Sequence, residues 1–266
     1  MFTRRWALFA VTVVVLAYGC LLLGQWQFHR LRERESTNAR TEANLAAPPT
    51  RVDRVLQPGR EAPAGDEWRR VTATGRYLGD QSVVIRYQTR NGSSGVDVVT
   101  PLRTEGGPLL LVDRGWLKTE NVGANHVDAP APPAGRVTVV GWVRVDATGD
   151  AATVTDGSAR AISSSQIARS LTGSVYGGFV DAEKETPTAR TALVPAELPD
   201  LGNGPHFFYG VQWWFFGVLA VFGFLYLAYD ERRRLRAPPA EREGSQRPQH
   251  ATIDREHRAG DEARSG

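Results

Sequence analysis

Apolar residues are concentrated in two long blocks, one near each end of the chain. The first block, Trp6–Leu23, carries no charge, and the second follows Pro205 and ends at Tyr229. An α-helix rises about 1.5 Å per residue, so either block is long enough to cross a hydrocarbon core of about 30 Å. The pattern therefore predicts transmembrane helices over residues 6–24 and 206–229.

Between the blocks, short runs of β-forming residues alternate with turn residues. Asn91-Gly92 favours a tight hairpin, and Gly75 marks a candidate bulge in the first run. Ser164 or Ser165 is expected to cap a short helix ending at Leu171. Little other helix is indicated, so we expect a mainly antiparallel β (α+β) domain built as a sheet or a partly closed barrel. The predicted strands are 68–77, 82–89, 95–102, 109–117, 136–146 and 175–182.

Polar stretches connect and follow these elements. The first helix is expected to continue past the membrane through Arg40. Proline and glycine are frequent in residues 46–66, which predicts an extended linker. Residues 230–266 are rich in charge, proline and glycine and poor in apolar residues, so we expect a disordered tail.

Arginine counts set the expected orientation, because the cytoplasmic flanks of membrane spans carry an excess of Lys and Arg. Four arginines closely follow the second span, whereas Arg190 is the only nearby cation before it. The first span has arginines on both sides, so it does not indicate an orientation. Two spans place both termini on one side, so residues 1–5 and 230–266 are expected in the cytoplasm and residues 25–205 outside it.

A cleaved signal peptide and a lipoprotein anchor are the alternatives for the first block. Ala17-Tyr18-Gly19-Cys20 loosely resembles a lipoprotein cleavage box. Three leucines continue the apolar run after the cysteine, whereas a lipidated mature terminus normally becomes polar there. No small-residue site for signal peptidase is obvious. A retained transmembrane helix is therefore expected.

The composition narrows the class of function. The formal charge is only +3, and much of the excess is arginine beside the apolar blocks, so nucleic-acid binding is not indicated. Cys20 is the single cysteine, which excludes an intramolecular disulfide and a CxxC metal site. The sequence has no nucleophile elbow, phosphate loop or HExxH motif, so we do not expect an enzyme.

Polar and aromatic groups gather where the second apolar block begins. His206, Tyr209, Gln212 and Trp213 fall within about two helical turns. Trp and Tyr suit a membrane interface, but a purely mechanical anchor has no need of His and Gln there. This stretch is therefore the leading candidate for a functional site.

Small residues recur every seven positions in both blocks. On the first they are Ala10, Ala17 and Gly24, and on the second Gly210 and Gly217. Small residues let helix backbones approach closely in lipid. The spacing predicts a packing face on each helix, used either between the two helices or against another membrane protein.

Three motifs follow one another along the chain. They are Gly24-Gln25-Trp26-Gln27 through Arg30, Val112-Asp113-Arg114-Gly115-Trp116, and Pro205-His206 through Tyr209 to Gln212-Trp213. Together they resemble the surfeit locus protein 1 family, the assembly factors of haem–copper cytochrome c oxidase, over residues 6–232. The chain departs from the family pattern where Asp113 replaces the usual Asn, adding a charge beside Arg114, and where His29 replaces the more usual Gln.

The resemblance implies two transmembrane helices enclosing an extracytoplasmic domain, and a role in supplying or inserting haem a. The histidine of the second-helix motif is the family's favoured haem a ligand, and His206 holds that position. Neutral imidazole is a standard axial ligand of haem iron. The alternative is an interfacial polar residue or a cap for a backbone group. Tyr209, Gln212 and Trp213 are candidate cofactor contacts, with an aromatic belt at the membrane surface as the alternative.

Three further residues join the candidate site under the same resemblance. His29 lies at about the depth of His206 and could supply a second axial ligand, with a solvated imidazole as the alternative. Trp26 is a candidate contact from the first helix. Arg114 could bind a haem propionate, but Arg114-Gly115-Trp116 could equally form a structural turn.

The resemblance, together with the two apolar blocks, implies a non-enzymatic assembly factor in a bacterial cell membrane that binds haem a transiently. Its expected partners are the catalytic subunit of cytochrome c oxidase, haem a synthase and the lipid bilayer. One alternative is a scaffold that binds oxidase subunits without contacting haem. An extracytoplasmic sensor is less favoured, because the short polar tail offers no output module.

Overall fold

The computed structural model describes residues 3–123, 127–191 and 193–236, which fall into two compact units. The helical unit contains the described residues up to Leu31 and from Gly204 onward, and the β unit spans Arg32–Asn203. Disorder is predicted for residues 230–266, but residues 230–236 belong to a helix, and residues 237–266 lie outside the described residues.

The helices are α1 (Arg4–Ala46), the short α2 (Ser164–Ile167) and α3 (His206–Arg236). Both α1 and α3 are long and apolar enough to cross a bilayer. Of the residues of α3 only Gly210 and Gly217 are buried, and in the most apolar stretch of α1 only 11% of residues are. The core helix of a soluble domain would bury most of such a surface, so the exposure favours membrane spans.

Proline sets one end of each long helix. α3 begins directly after Pro205, whose carbonyl accepts the Tyr209 amide at 3.1 Å. A residue without an amide donor is well suited to this position, where the donor would have no partner. α1 continues past the predicted Arg40 and stops shortly before Pro48-Pro49, which cannot continue a helix.

Asparagine side chains tie the last part of α1 to loops of the β unit. Asn38 Nδ2 donates to the Leu201 carbonyl at 2.7 Å. Asn44 Nδ2 donates to the carbonyls of Gly65 and Glu67, each at 2.9 Å. These contacts link residues far apart in sequence, and they stabilise the helix beyond the end that its own pattern predicts.

Glycines let α1 and α3 pack closely, as the spacing of small residues predicts. A Cβ on Gly210 would lie 2.8 Å from the Phe28 ring, and one on Gly217 would lie 3.2 Å from the Cys20 Cβ. A Cβ on Gly24 would overlap the side chain of a tryptophan on α3. Larger residues at these positions would force the helices apart.

Within the described residues, eight strands form one sheet, and all six predicted strands are present with end shifts of a few residues. The two-residue β1 and β7 are additional, and their shortness explains why no pattern reveals them. The strands are β1 (Thr50–Arg51), β2 (Arg70–Tyr77), β3 (Val83–Arg90), β4 (Ser93–Thr104), β5 (Leu109–Lys118), β6 (Val137–Arg144), β7 (Ser158–Ala159) and β8 (Val175–Thr186).

The sheet closes on itself. Strand β2 pairs with both β4 and β6, so β2, β6, β8, β5 and β4 form a ring, with β3 and β7 continuing from β4 outside it. Most neighbours are antiparallel, but β5–β8, β1–β2 and β3–β7 are parallel. The β unit is therefore a barrel with a mixed sheet, more closed and less uniformly antiparallel than the sequence suggests.

Strand β5 is buried on both faces, which explains its continuous apolar run. Leu110 and Val112 belong to the core inside the barrel, together with Val139 of β6. Leu109 and Leu111 belong to a second cluster that includes residues of α2 and β7. A strand covered on both sides needs apolar residues at successive positions.

Gly75 does not form the predicted bulge. Strand β2 pairs with β6 from Arg70 to Gly75 without a register shift. Instead, Gly75 lies where β2 also begins to pair with β4, and a Cβ there would overlap the Arg103 carbonyl. The glycine is needed for close backbone approach where the barrel closes.

Two other local predictions need correction. Residues 46–66 are not a free linker, because they contain β1 and two short 3₁₀ turns and bury Val52 and Leu56 in the barrel core. The short helix has Ser163 at its N-cap, but the Ser163 side chain makes no capping hydrogen bond to a backbone amide of the helix. Asp146 Oδ1 accepts the Ser164 amide instead, at 2.8 Å. Both differences depend on contacts between distant residues.

A row of three buried aspartates crosses the sheet. Asp97 on β4, Asp113 on β5 and Asp181 on β8 lie on neighbouring strands, and Asp113 is in register with Asp181. Arg90 Nη2 donates to Asp97 Oδ1 at 2.8 Å, and Arg144 Nη1 donates to Asp181 Oδ2 at 2.7 Å. The outer two carboxylates are thus paired with arginine, and Asp113 lies between them.

Burial and mutual repulsion control protonation of this row. Burial, followed by the charges of Asp97 and Asp181, raises the pKa of Asp113 well above its usual range. Burial also raises the pKa of Asp97 to about 6, although Arg90 opposes the shift. These shifts favour a neutral carboxyl at the centre of the row, where an uncompensated charge would be costly.

The substitution Asp113→Asn should make stability less dependent on pH. Asp97 and Asp113 bind protons more tightly in the native protein than in the unfolded chain. Their contribution to the free energy of unfolding is therefore greatest below the ordinary pKa of 3.8, and it falls as the pH rises through about 6. The variant should therefore gain more melting temperature over wild type at about pH 8 than at about pH 4, where the carboxyl is largely protonated in both states. Thermal unfolding in detergent measures this, with the exposed Asp80→Asn as control. An equal gain at both pH values would contradict it.

Gly217→Cys should form a disulfide with Cys20 across the helix pair. The 3.2 Å between Cβ positions is near the separation of about 3.5–4.5 Å found in disulfides, and Cys20 is the only native cysteine. After cleavage at a protease site inserted within residues 187–203, the two fragments should stay joined on a non-reducing gel. Gly223→Cys is the control, because a Cβ there has no heavy atom within 4 Å. Separated fragments from the first variant would rule out the pairing.

Candidate functional site

A hydrogen bond between α1 and α3 fixes the imidazole of His206. This residue is half-buried at the start of α3, and its Nδ1 lies 3.0 Å from Gln27 Oε1 on α1. With the amide oxygen as acceptor, Nδ1 carries the proton and Nε2 keeps the lone pair. Histidines that bind metals usually donate their other ring N–H to an oxygen in this way.

Gly204 leaves space beside the free nitrogen. Its φ of +64° lies in the left-handed region, and a Cβ there would be 3.7 Å from His206 Nε2. A larger residue would be strained at this φ, and its Cβ would be in van der Waals contact with the imidazole. The turn before α3 therefore suits an imidazole that presents Nε2 to a ligand.

Aromatic side chains share the helical face of His206. Tyr209 and Trp213 follow it by three and seven residues, which places all three on one side of α3. Tyr209 is exposed, and Trp213 is half-buried with its ring 6.1 Å from the Phe216 ring. Gln212 is also exposed but lies off this face. The arrangement offers flat apolar surface next to the imidazole.

Gln27, rather than His29, meets His206. Successive helical residues turn by about 100°, so a residue two positions from Gln27 points to nearly the opposite side of α1. His29 and Trp26 are both exposed, and the Arg30 guanidinium lies 5.8 Å from the Trp26 ring centre. This placement lends no support to a bis-histidine pair.

Sequence reasoning missed Gln27 although a usable pattern was present. Gln27 lies three residues after Gly24, so it falls on the packing face that the small residues define. His29 attracts attention as a metal ligand by residue type alone. The face of the helix, rather than the chemistry of the side chain, identifies the partner of His206.

Arg114 is committed to contacts inside the β unit. Its side chain is 2% exposed, and Nε donates to Glu185 Oε1 at 3.2 Å. Nη1 donates to the Pro130 carbonyl at 2.9 Å, and the Tyr77 hydroxyl donates to the same Glu185 oxygen at 2.6 Å. Burial, followed by the charge of Glu185, raises the pKa of Tyr77 well above its ordinary value. The geometry matches the structural alternative for Arg114 rather than binding of a propionate.

The motif around Arg114 lies within β5 rather than in a turn. Gly115 has a φ of +126° and accommodates the close approach of Val194, whose carbonyl accepts the Trp116 amide at 2.7 Å. Asp113 Oδ1 accepts the Gly115 amide at 2.9 Å, while Arg114 pairs with Glu185. The aspartate therefore does not add its charge beside Arg114.

No group of three or more His, Cys, Asp or Glu residues within 3–123, 127–191 and 193–236 is placed to hold a metal ion. A metal bound by His206 would need its remaining ligands from a cofactor or another molecule.

Comparison with known proteins identifies relatives that share most of this chain. The SURF1 family profile matches residues 14–218, a range that includes both Gln27 and His206. SURF1-like proteins of Mycobacterium tuberculosis and Mycobacterium bovis are each 34% identical over 251 residues, covering 91% of this chain and 89% of theirs. The cytochrome oxidase assembly protein SHY1 of Saccharomyces cerevisiae is 30% identical over 101 residues, covering 38% of this chain and 25% of that protein. The chain therefore belongs to the SURF1 family.

Proposed function

We propose that this chain assists the assembly of haem–copper cytochrome c oxidase and that His206 binds haem a through Nε2 during that process. Membership of the SURF1 family and the name of the yeast relative support the assembly role. The observation that carries the haem proposal is the hydrogen bond from His206 Nδ1 to Gln27 Oε1. It leaves a lone pair on Nε2 beside the open space at Gly204.

The site suits reversible binding of a haem as cargo. Gln27 orients the imidazole, and the exposed ring of Tyr209 and the half-buried ring of Trp213 lie on the same face to contact a porphyrin. One axial histidine is sufficient to hold a haem iron. A single protein ligand leaves the other axial position for a group of the acceptor, which favours transfer.

The membrane setting follows from the two apolar helices. With α1 and α3 spanning a bacterial cell membrane, Gln27 and His206 lie where the apolar blocks end, at the outer surface. The arginines after the second block favour cytoplasmic termini. The barrel then faces outward, where it could dock the catalytic oxidase subunit or haem a synthase.

Replacement of His206 by Ala should abolish the haem spectrum without unfolding the protein. The change removes the iron ligand, whereas the barrel core contains no part of that residue. Protein purified from cells that make haem a is compared with His206→Ala by absorption spectroscopy. His29→Ala is the matched control, and it should keep the haem because His29 lies off the face that meets α3. Stoichiometric haem in His206→Ala would exclude the proposed ligand.

Replacement of Gln27 by Leu should weaken haem binding by about 10–100-fold, the usual effect of removing the partner of a metal-bound histidine. Gln27→Glu should retain binding, because a carboxylate also accepts the Nδ1 proton. Titration with haem monitored by absorption measures both variants. Equal loss in the two would indicate damage to helix packing rather than loss of an acceptor.

A haem-free protein that still co-purifies with oxidase subunits would favour the scaffold alternative. In that case His206→Ala should leave the association with those subunits unchanged. Measuring haem content and subunit association on the same preparations separates the two functions.

A further inference from the structure

An exposed tyrosine ring lies beside two arginines at the outer edge of the sheet. Among the described residues of the β unit, Tyr87 of β3 is the one aromatic residue with an exposed side chain, at 54%. The guanidinium carbons of Arg86 and Arg160 lie 5.8 and 5.6 Å from its ring centre. Stacking uses the face of a guanidinium, so the N–H groups in its plane can still donate. We call these three residues the Tyr87 cluster.

A β-bulge sets the backbone of Tyr87 in an unusual conformation. The register of β3 against β4 shifts between Ile85 and Gln88. Tyr87 lies within the shift, and its φ of +60° is in the left-handed region. Bulky residues rarely adopt this region, and those that do are concentrated at functional sites. Glycine or asparagine would suit the bulge better, so the ring itself requires an explanation.

The neighbouring strand brings the second arginine to the ring. Because β7 runs parallel to β3 and pairs Ala159 with Ile85, the next residue on each strand is an arginine. The Gln88 side chain fixes both backbones, since its Nε2 donates to the carbonyls of Arg86 and Arg160 at 3.1 and 3.3 Å. The cluster is therefore formed before any ligand binds, which lowers the entropic cost of binding.

The cluster offers hydrogen-bond donors next to an apolar surface. Arg86 Nη1 donates to the Gly123 carbonyl at 3.4 Å, so this residue is partly engaged. Arg160 is exposed, and no acidic side chain in the described ranges pairs with its guanidinium. A guanidinium has only donors, and the tyrosine hydroxyl adds another. The complementary ligand is an anionic acceptor attached to a group that packs on the ring.

We propose that the Tyr87 cluster docks a carboxylate-bearing segment of a partner protein. The Arg160 guanidinium binds the carboxylate, and the Tyr87 ring packs against the neighbouring part of the segment. Tyrosine and arginine are among the residues that contribute most to protein–protein binding. The inference rests on the proposed assembly function for the class of partner, a protein, and does not depend on the haem site at His206.

A protein segment fits the cluster better than a nucleic acid or a membrane surface. Binding to those polyanions relies on several cations that contact successive phosphates. The cluster has two arginines, and Arg86 already donates to Gly123. One exposed ring beside one guanidinium without an acidic partner matches a few side chains of a peptide. Guanidinium and carboxylate also match in planar, bidentate geometry.

The experiment uses a short fluorescein-labelled peptide in which glutamate alternates with alanine. Its binding to the full-length protein in phosphatidylcholine nanodiscs is measured by fluorescence anisotropy. Arg160→Gln should weaken binding by about tenfold, because hydrogen bonds between charged groups are lost. Arg169→Gln removes the same charge from an exposed position outside the cluster, so it should bind like wild type. A peptide with glutamine in place of glutamate should not bind.

A second variant separates docking from folding. Asparagine adopts the left-handed region more readily than tyrosine, so Tyr87→Asn should keep the wild-type melting temperature or exceed it. Its affinity for the glutamate peptide should nevertheless fall, because the ring is missing. Unchanged peptide affinity in Tyr87→Asn would overturn the role of the ring.

The remaining outcomes decide between ligands. Equal peptide affinity in wild type and Arg160→Gln would overturn the inference. Equal weakening in Arg169→Gln would do the same, because binding would then follow net charge. Arg160-dependent binding of phosphatidylglycerol vesicles, without binding of the peptide, would assign the cluster to lipid phosphates instead. No haem or oxidase subunit enters these titrations, so a failure of the proposed function would leave them unchanged and would appear only in the haem and association measurements.

Discussion

Close packing of α1 against α3 is the constraint on which the helical unit depends. Between helices in lipid, association relies on packing and hydrogen bonds, since the hydrophobic effect does not drive it. Gly210 and Gly217 bring the backbones together, and only at that separation can Gln27 reach His206. Gly217 also lines an apolar groove beside Trp214, together with Ala17 of α1. One packing solution thus positions the imidazole, selects its tautomer and creates the groove.

The β unit illustrates which parts of a fold local patterns reveal. Runs of β-forming residues locate all six longer strands, because burial and alternation act within each segment. The pairings depend on contacts between distant segments, so the parallel β5–β8 neighbours and the ring closure at Gly75 are not apparent from the sequence. The same holds for Val52 and Leu56, whose proline-rich surroundings indicate a linker although both residues are buried in the core.

Some residues of the candidate site can likewise be identified from sequence, and others only from the structure. His206 is identifiable from sequence, because an imidazole where an apolar block begins has no mechanical purpose. Gln27 requires knowledge of which face of α1 meets α3, and residue type alone directs attention to His29. For Arg114 the chemistry of the side chain suggests an anion ligand, but burial and Glu185 occupy it fully. The contacts that a polar side chain makes, rather than its residue type, distinguish the candidate functional groups from the structural ones.

The hydrogen-bond acceptor of His206 Nδ1 influences how strongly the imidazole could bind a metal. An amide oxygen is neutral, so it polarises the imidazole less than the carboxylate found behind many permanently bound metals, and the ring gains little basicity from it. It also keeps the same charge over the whole physiological pH range. If His206 holds the haem iron as proposed, its ring would keep a fixed orientation while the bond to iron stays of ordinary strength, which would favour release of the haem.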